Sequence, residues 1–432
     1  MTLILMNMKK TIFLVIAIIA IFTKGSNGQS SGNLVIVGGG LEPDNKAIFQ
    51  QLISLAGGVE KGTFALIPSA GGTPVQSYVY FRNELIAYGV KPDNIHLIPV
   101  ALMDDDSTKE VNESEWKNNG NNPRLAGLVR KCTAVWFTGG DQARTMKTLV
   151  RTDGSQTPVL EAVWEVYRAG GVVGGTSAGA AIMSEVMIGG GTSMAALKKG
   201  VVRDYKGDDF QEEDGVWVTK GLGFFPHGVV DQHFSQRARI GRLAVALMNE
   251  KEKGSMGFGV DENTALIYNG KQNKMHVAGA GGVTIVNTSD ARISTVQNLP
   301  QIENLEVSYL EEGDGYDFNT GVVTPNEGKK PTRGNEQEVD PYQGQTGMLS
   351  GSPDTFRDLL ANNLMDNKVT DTIQNINLTN QNTGFLVTLS KTPSSEGFRT
   401  DKPEHRHHYT VIKIRMDIVP VQISVKPMKN KY

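Results

Sequence analysis

A chain of 432 residues is long enough for one large α/β domain with an appendage, or for two domains. Its composition, 39% hydrophobic, is that of an ordinary globular protein, and a formal net charge of −3 gives no support to a nucleic-acid binder, which needs a basic face to displace counterions. The single cysteine excludes an intramolecular disulfide; Cys132 lies among Leu128, Val129, Ala134 and Val135 and reads as a small core residue.

At the N-terminus, Lys9 and Lys10 precede an apolar run from Ile12 to Phe22, and Lys24-Gly25-Ser26-Asn27-Gly28 follows. This is the pattern of an export signal over residues 1–28, with Met8 an alternative start and cleavage near Gly28 or Ser30. The run falls short of the roughly 20 apolar residues that span a bilayer. The expectation is an exported protein, periplasmic or extracellular, with no membrane span after cleavage.

Short apolar strands then alternate with helical segments. Leu34–Val37 runs into Gly38-Gly39-Gly40, and a helix is predicted over Asn45–Leu55. Phe64–Ile67 is a buried strand, Ser77–Tyr88 a helix, Asn94–Val100 strand-like and Ala134–Thr138 a strand, with a helix after Asp141. Gly171–Gly174 leads into Gly175-Thr176-Ser177-Ala178-Gly179. Such alternation predicts an α/β fold whose mostly parallel sheet is sandwiched by helices, with ligands bound beyond the strand ends. A strand at Ala265–Tyr268 and a hairpin-like Met275–Val286 follow. The α/β domain is therefore set at 29–310. The Gly-, Asp-, Asn- and Pro-rich stretch 311–351 reads as a linker or mobile loop. Residues 352–432, with a helical piece at Phe356–Met365 and β-like runs at Gly384–Leu389, Tyr409–Met416 and Val419–Val425, read as a small β-rich C-terminal appendage.

The pentapeptide around Ser177 fits G-x-S-x-G, in which glycines let strand and helix approach at a tight turn that presents a serine. The N–H of Ala178, at the start of the next helix, is placed to stabilise an oxyanion. A second glycine turn, Thr138-Gly139-Gly140-Asp141-Gln142, ends on the same sheet edge. Its N–H groups are candidates for the second oxyanion donor and Gln142 for holding a substrate carbonyl or carboxylate; a tight turn capped by Asp141 explains the stretch equally well. Gly38-Gly39-Gly40 carries the first two glycines of a dinucleotide fingerprint, but Pro43 stands where the third is needed, so no nucleotide cofactor is expected.

A serine nucleophile needs a base. His233 sits between a short strand and a helix whose apolar face is Ile240, Leu243, Ala244 and Leu247. Arg237, Arg239 and Arg242 crowd the start of that helix, where its dipole disfavours cations by about 0.3–1 kcal/mol each. A bound anion would explain them; a solvated basic face accounts for Arg239 but poorly for Arg237, which precedes Ile240 by three. Glu262 is the favoured acid to orient His233; Asp231, two residues before it, would point away if the segment is extended. His405, His407 and His408 lack the partners of a metal site, and no metal is expected. Asp104–Asp106 and Asp208–Asp214 read as solvated loops.

Taken in order, Phe137-Thr138-Gly139-Gly140-Asp141-Gln142, Gly175–Ala180, Gly221-Leu222-Gly223, Asp231–Leu243 and Gly257–Ala265 resemble the cyanophycinase family of serine peptidases, kin to the peptidase E dipeptidases, over about residues 33–290. The resemblance implies a class I glutamine amidotransferase-like fold with Ser177 as nucleophile and His233 as base. It also implies a pocket for a β-aspartyl unit lined by Gln142, Asp231, Gln232, Arg237, Arg239 and Arg242. It implies hydrolysis of the polymer cyanophycin to β-Asp-Arg dipeptides without a cofactor. The mechanism expected is acyl transfer, with Ala178 and Gly140 as oxyanion donors. The partner is then a peptide or polyamide, with no nucleic acid, and a homodimer is left open. Two rivals stand beside it, an aspartyl or isoaspartyl dipeptidase acting on small peptides and a secreted binding protein without catalysis. The histidine precedes the acid along the chain, unlike the order of ordinary α/β-hydrolases.

Overall fold

The computed structural model describes residues 32–424 apart from 204, 208, 251–255, 339, 341–346, 351–354, 380–381 and 402–405; the expected export signal lies outside the described residues. The first half alternates strands β1 (Asn33–Val37), β2 (Phe64–Ile67), β3 (Ile95–Leu97), β4 (Ala134–Phe137) and β5 (Val172–Thr176) with helices α1 (Lys46–Leu55), α2 (Pro74–Ala87), α3 (Pro123–Val129), α4 (Gln142–Leu149) and α5 (Pro158–Arg168). A short α6 (Ala178–Ala181) follows β5. The start signals are those expected of soluble helices. Asn45 caps α1 by accepting the Ile48 N–H, and Thr157 with Pro158 opens α5.

Every residue of β2 and β4 is buried, as an all-parallel arrangement covered on both faces requires. The strands pair in parallel in the order β1-β5-β4-β2-β3. One face, with Val35, Leu66 and Trp136, packs on α1 and α2 through Phe49, Leu52, Phe81 and Leu85. The other, with Ile36, Ile67, Val135 and Phe137, packs on α3, α5 and α6. Each fully buried aliphatic or aromatic side chain contributes about 1.5–3 kcal/mol.

Beyond α6 come a small three-stranded sheet, β6 (Val186–Gly190), β7 (Val201–Val202) and β8 (Val216–Lys220), and the helix α7 (Ser193–Lys199). Next are β9 (Val229–Asp231), α8 (Ile240–Asn249), β10 (Met256–Val260), β11 (Thr264–Asn269), β12 (Lys274–Gly279) and β13 (Gly282–Asn287). β11 and β12 extend the first sheet antiparallel beside β1, whereas β9, β10 and β13 belong to a second sheet. The hairpin expected over Met275–Val286 is therefore absent: β12 and β13 are consecutive but lie in different sheets.

The C-terminal third departs most from expectation. It supplies β14 (Arg292–Val296), β15 (Leu299–Glu311), β16 (Gly315–Asp317), β17 (Val322–Thr324) and β18 (Lys329–Pro331). It continues with α9 (Thr355–Asp358), a π-helical run over Leu359–Met365, β19 (Thr372–Leu378), β20 (Thr383–Ser390), β21 (Glu396–Thr400) and β22 (Tyr409–Gln422). The stretch expected as a linker thus carries three strands. β16 and β17 complete the nine-stranded first sheet, and β18 joins the second. The expected appendage is not a separate body either, because β15 and β19–β22 continue the ten-stranded sheet that contains β9 and β10. This sheet packs Val230, Phe258, Val260 and Ile285 against the first sheet's core. Its other face, with Val286, Val307 and Ile414, packs on α7, α8 and the helical piece around Leu360. Polar loop composition hid the strands, of which β16 and β17 form a short local hairpin while β18 pairs with β21, far along the chain.

Candidate active site

Ser177 follows β5 at a bend with φ of 55° and ψ of −112°, a conformation costing a non-glycine residue about 1–3 kcal/mol. The flanking glycines make it feasible, since a Cβ on Gly175 would come within 2.7 Å of the Gly179 carbonyl oxygen. The Ser177 N–H is tied to the Val37 carbonyl at 3.0 Å, and its Oγ lies 2.7 Å from His233 Nε2. His233 follows β9 and is itself left-handed, with φ of 46°. Its Nδ1 lies 2.5 Å from Glu262 Oε1, so the proton belongs on Nδ1 and Nε2 is left to accept from the serine hydroxyl. Glu262 stands where the chain passes from β10 of the second sheet to β11 of the first, so the cluster forms where the two sheets meet.

Burial is the main cause that lowers the His233 pKa from its ordinary 6.5; Glu262 opposes it, and Arg237 and Arg239 add to the fall. The imidazole is therefore neutral at neutral pH, the state a general base requires. The first glycine turn seats it. Gly39, with φ of 114°, faces the ring so closely that a Cβ would come within 2.2 Å of His233 Cε1, and the His233 N–H donates to the Gly38 carbonyl at 2.6 Å. The triple glycine thus serves the histidine rather than a dinucleotide.

A cavity of about 590 Å³ opens beside Ser177, lined among others by Gly140, Gln142, Gln232, Arg237, Arg239 and Arg242. The predicted binding residues converge there with one exception. Asp231 is 1% exposed and does not line the cavity; both its oxygens accept from Arg242, at 2.9 and 2.5 Å. Burial raises the Asp231 pKa, but the Arg242 guanidinium outweighs this and holds the carboxyl below its ordinary range. Asp231 anchors the arginines instead of meeting a substrate. Gln142 lines the cavity, yet its amide nitrogen is committed to the carbonyls of Ile188 and Gly189, at 3.1 and 2.6 Å, so it also holds the β6 wall in place.

The arginines exchange the environments expected of them. α8 begins only at Ile240, after a turn in which Ala238 has φ of 48°, so helical spacing does not apply to Arg237. Arg237 is exposed, whereas Arg239 is buried and donates to the Gln232 carbonyl at 2.6 Å. Burial, then the like charge of Arg242, pushes Arg239 down to about 9, which leaves it cationic at neutral pH. The buried Gln232 Oε1 has no hydrogen-bond partner among the described residues. Ala178 opens α6 directly after Ser177, and Gly140 borders the cavity beside that serine.

Sequence reasoning missed part of the wall. Arg144 and Lys147, three apart on α4, line the cavity, as do Phe210 and Trp217. Asp209 and Glu212, read as a solvated loop, line it too, with Glu212 accepting the Gly191 N–H at 2.9 Å. The α4 spacing was a usable signal; the acidic loop had none, because only the small sheet β6-β8-β7 folds it over the site. A second hollow of about 500 Å³, with Leu41, Gln76, Tyr80, Trp136 and Thr138 in its wall, also reaches Ser177. Cys132 is buried, with its thiol pushed up to about 12 by desolvation, and is no nucleophile. Among the described residues no cluster of potential metal ligands occurs, and no helix is long and apolar enough to cross a membrane.

A hydroxyl, imidazole and carboxylate in hydrogen-bonded sequence, at a strand-to-helix bend of an α/β sheet, define a serine hydrolase. Residues 34–276 match the model of Peptidase family S51, and the chain belongs to that family of peptidases. It is 32% identical over 300 residues to a cyanophycinase of Geminocystis herdmanii, covering 67% of this chain and 94% of that protein. It is 30% identical over 305 residues to a cyanophycinase of Synechococcus elongatus, covering 68% and 83%. A crystal structure of a peptidase from an acI-B1 actinobacterium is 21% identical, with a TM-score of 0.44, over 67% of this chain and 98% of that one.

Proposed function

We propose that the protein is an exported serine exopeptidase that hydrolyses the β-aspartyl-arginine polymer cyanophycin to β-Asp-Arg dipeptides through an acyl-enzyme on Ser177. The observation that carries this reading is the 2.7 Å contact between Ser177 Oγ and His233 Nε2 beside a cavity walled by Arg237, Arg239 and Arg242. The relatives named cyanophycinase support the substrate assignment. His233 takes the Ser177 proton as Oγ attacks the β-aspartyl carbonyl, and Glu262 stabilises the imidazolium that forms. The N–H groups of Ala178 and Gly140 hold the oxyanion, each donor being worth about 3–4 kcal/mol. The imidazolium protonates the leaving amine, and water then enters, gives its proton to His233 and releases the acyl group from Ser177. The arginines grip the free aspartate carboxylate, for which charge-assisted pairing is strong. Asp209 and Glu212 supply opposite charge in the same wall for the substrate's guanidinium. The residues need no metal or nucleotide for these steps.

The test is to incubate purified protein with cyanophycin and, separately, with aspartyl and isoaspartyl dipeptides, and to follow release of β-Asp-Arg. Turnover of the polymer, abolished in Ser177→Ala with folding retained, is the expected result. Turnover of dipeptides alone would replace the polymer substrate, and binding without turnover would leave a non-catalytic receptor. Export rests on the Lys9–Gly28 pattern, and N-terminal sequencing of the mature protein from cell fractions tests it.

A further inference from the structure

The steps above assign no task to the carboxylate next to Glu262. Asp261 is buried, and its Oδ1 accepts the Ser235 N–H at 2.9 Å. Its Oδ2 accepts the Gly282 N–H at 3.0 Å and the Tyr309 hydroxyl at 3.1 Å. Ser235 lies two residues beyond His233, and Asp261 immediately precedes Glu262. One carboxylate thus joins the segment of the base to the segment of the acid.

The same two segments are tied on either side of it. The Phe234 N–H donates to the Val260 carbonyl at 3.1 Å, and the Glu262 N–H to Gln236 Oε1 at 2.9 Å. His233 needs such ties, because its left-handed backbone persists only where the surroundings over-determine it. Tyr309 is delivered from β15 by close packing: a Cβ on Gly282 would come within 2.6 Å of its hydroxyl oxygen. Burial, with the Asp261 charge beside it, keeps the phenol protonated and hence a donor. Tyr309 lies beyond residue 276, where the match to the family model ends.

We propose that Tyr309 is a positioning residue for the reaction: through Asp261 it sets the placement of His233 against Glu262, so that β15 belongs to the working parts of the active site. This rests on the reading of Ser177, His233 and Glu262 given above. Tyr309→Phe keeps the ring and removes only the hydroxyl. The control is Tyr409→Phe, which removes a similar bond, the 2.8 Å contact from a buried phenol to Asp366, without touching either segment.

In the full-length protein, Tyr309→Phe is expected to lower kcat roughly three- to tenfold, a part of the worth of one hydrogen bond to a carboxylate, since Tyr309 acts on the base only through Asp261. KM should stay within about twofold, since the phenol is remote from substrate. The acid limb of kcat/KM should move to lower pH, because a looser Glu262 stabilises the imidazolium less. Sulfonylation of Ser177 by a sulfonyl fluoride, in which Oγ displaces fluoride and loses its proton to His233, should slow by the same factor. Tyr409→Phe should leave all four at wild-type values. Unchanged kcat and pH profile in Tyr309→Phe, or an equal loss in Tyr409→Phe, overturns the proposal. As a second measurement on the folded protein, the downfield Nδ1 proton resonance of His233 should move upfield in Tyr309→Phe; an unmoved resonance also overturns it. Labelling of Ser177→Ala at the wild-type rate would instead sink the underlying assignment of the nucleophile, so the two failures are distinguishable.

Discussion

Replacing Glu262 with glutamine tests the proposed chemistry at one atom. The carboxylate accepts from His233 Nδ1 at 2.5 Å and thereby leaves Nε2 free to accept from Ser177 at 2.7 Å. An amide NH₂ in the same place donates to Nδ1, moves the ring proton to Nε2, and presents the serine with a donor where it needs an acceptor. In serine hydrolases of this design the wrong tautomer costs about 10⁴ in kcat. Here the Glu262 side chain is 37% exposed, so the amide can turn its oxygen towards the ring, and the loss should lie nearer 10²–10³. KM should change little. The pH profile supplies the sign. The lowered His233 pKa puts the wild-type acid limb of kcat/KM below pH 6.5, with activity present above it and lost as the ring protonates. Removing the glutamate charge, which opposes that lowering, moves the limb to still lower pH. Initial rates on a β-Asp-Arg oligomer between pH 4 and 8 read both effects. A variant within about threefold of wild type in kcat, with an unmoved limb, would refute the assignment of Glu262.

Asp231→Ala should act on folding, because it leaves Arg242, 1% exposed, as an uncompensated buried charge. The expected cost is ~3–5 kcal/mol, which for a chain of this length is a fall in Tm of about 3–6 °C by calorimetry; an unchanged melt would show that the pair is not structural. Arg237→Ala should do the reverse, since its exposed guanidinium faces the cavity. Losing one charged contact to the substrate carboxylate should lower kcat/KM by roughly 10- to 100-fold with Tm kept, and kinetics at wild-type values would remove Arg237 from the recognition of substrate.

Much of the first sheet could be read directly. β1, β2, β4 and β5 are continuous apolar runs punctuated by glycine turns and helix caps, signals that act within a few residues. The bend at Ser177 was legible for the same reason, because its glycines and the helix after it are local. His233 and Glu262 could be named from motif and resemblance, but their distances could not, since β9 and β10 reach Ser177 only by packing one sheet on another. Arg237 and Arg239 exchange the surroundings that their sequence context suggests, because the turn at Ala238 breaks any helical period before Ile240.

What the amino-acid sequence determined by itself was the alternation of strand and helix, the nucleophile's bend and the identity of the groups that do chemistry. Only the tertiary structure decided that Asp231 is an anchor, that Asp209 and Glu212 face the cavity, and that β15 and β18–β22 complete the sheet carrying the base. The physical reason is the range of the forces involved. Turn and helix preferences are set by neighbours in the chain, whereas strand pairing and the environment of a buried charge are set by residues far along it.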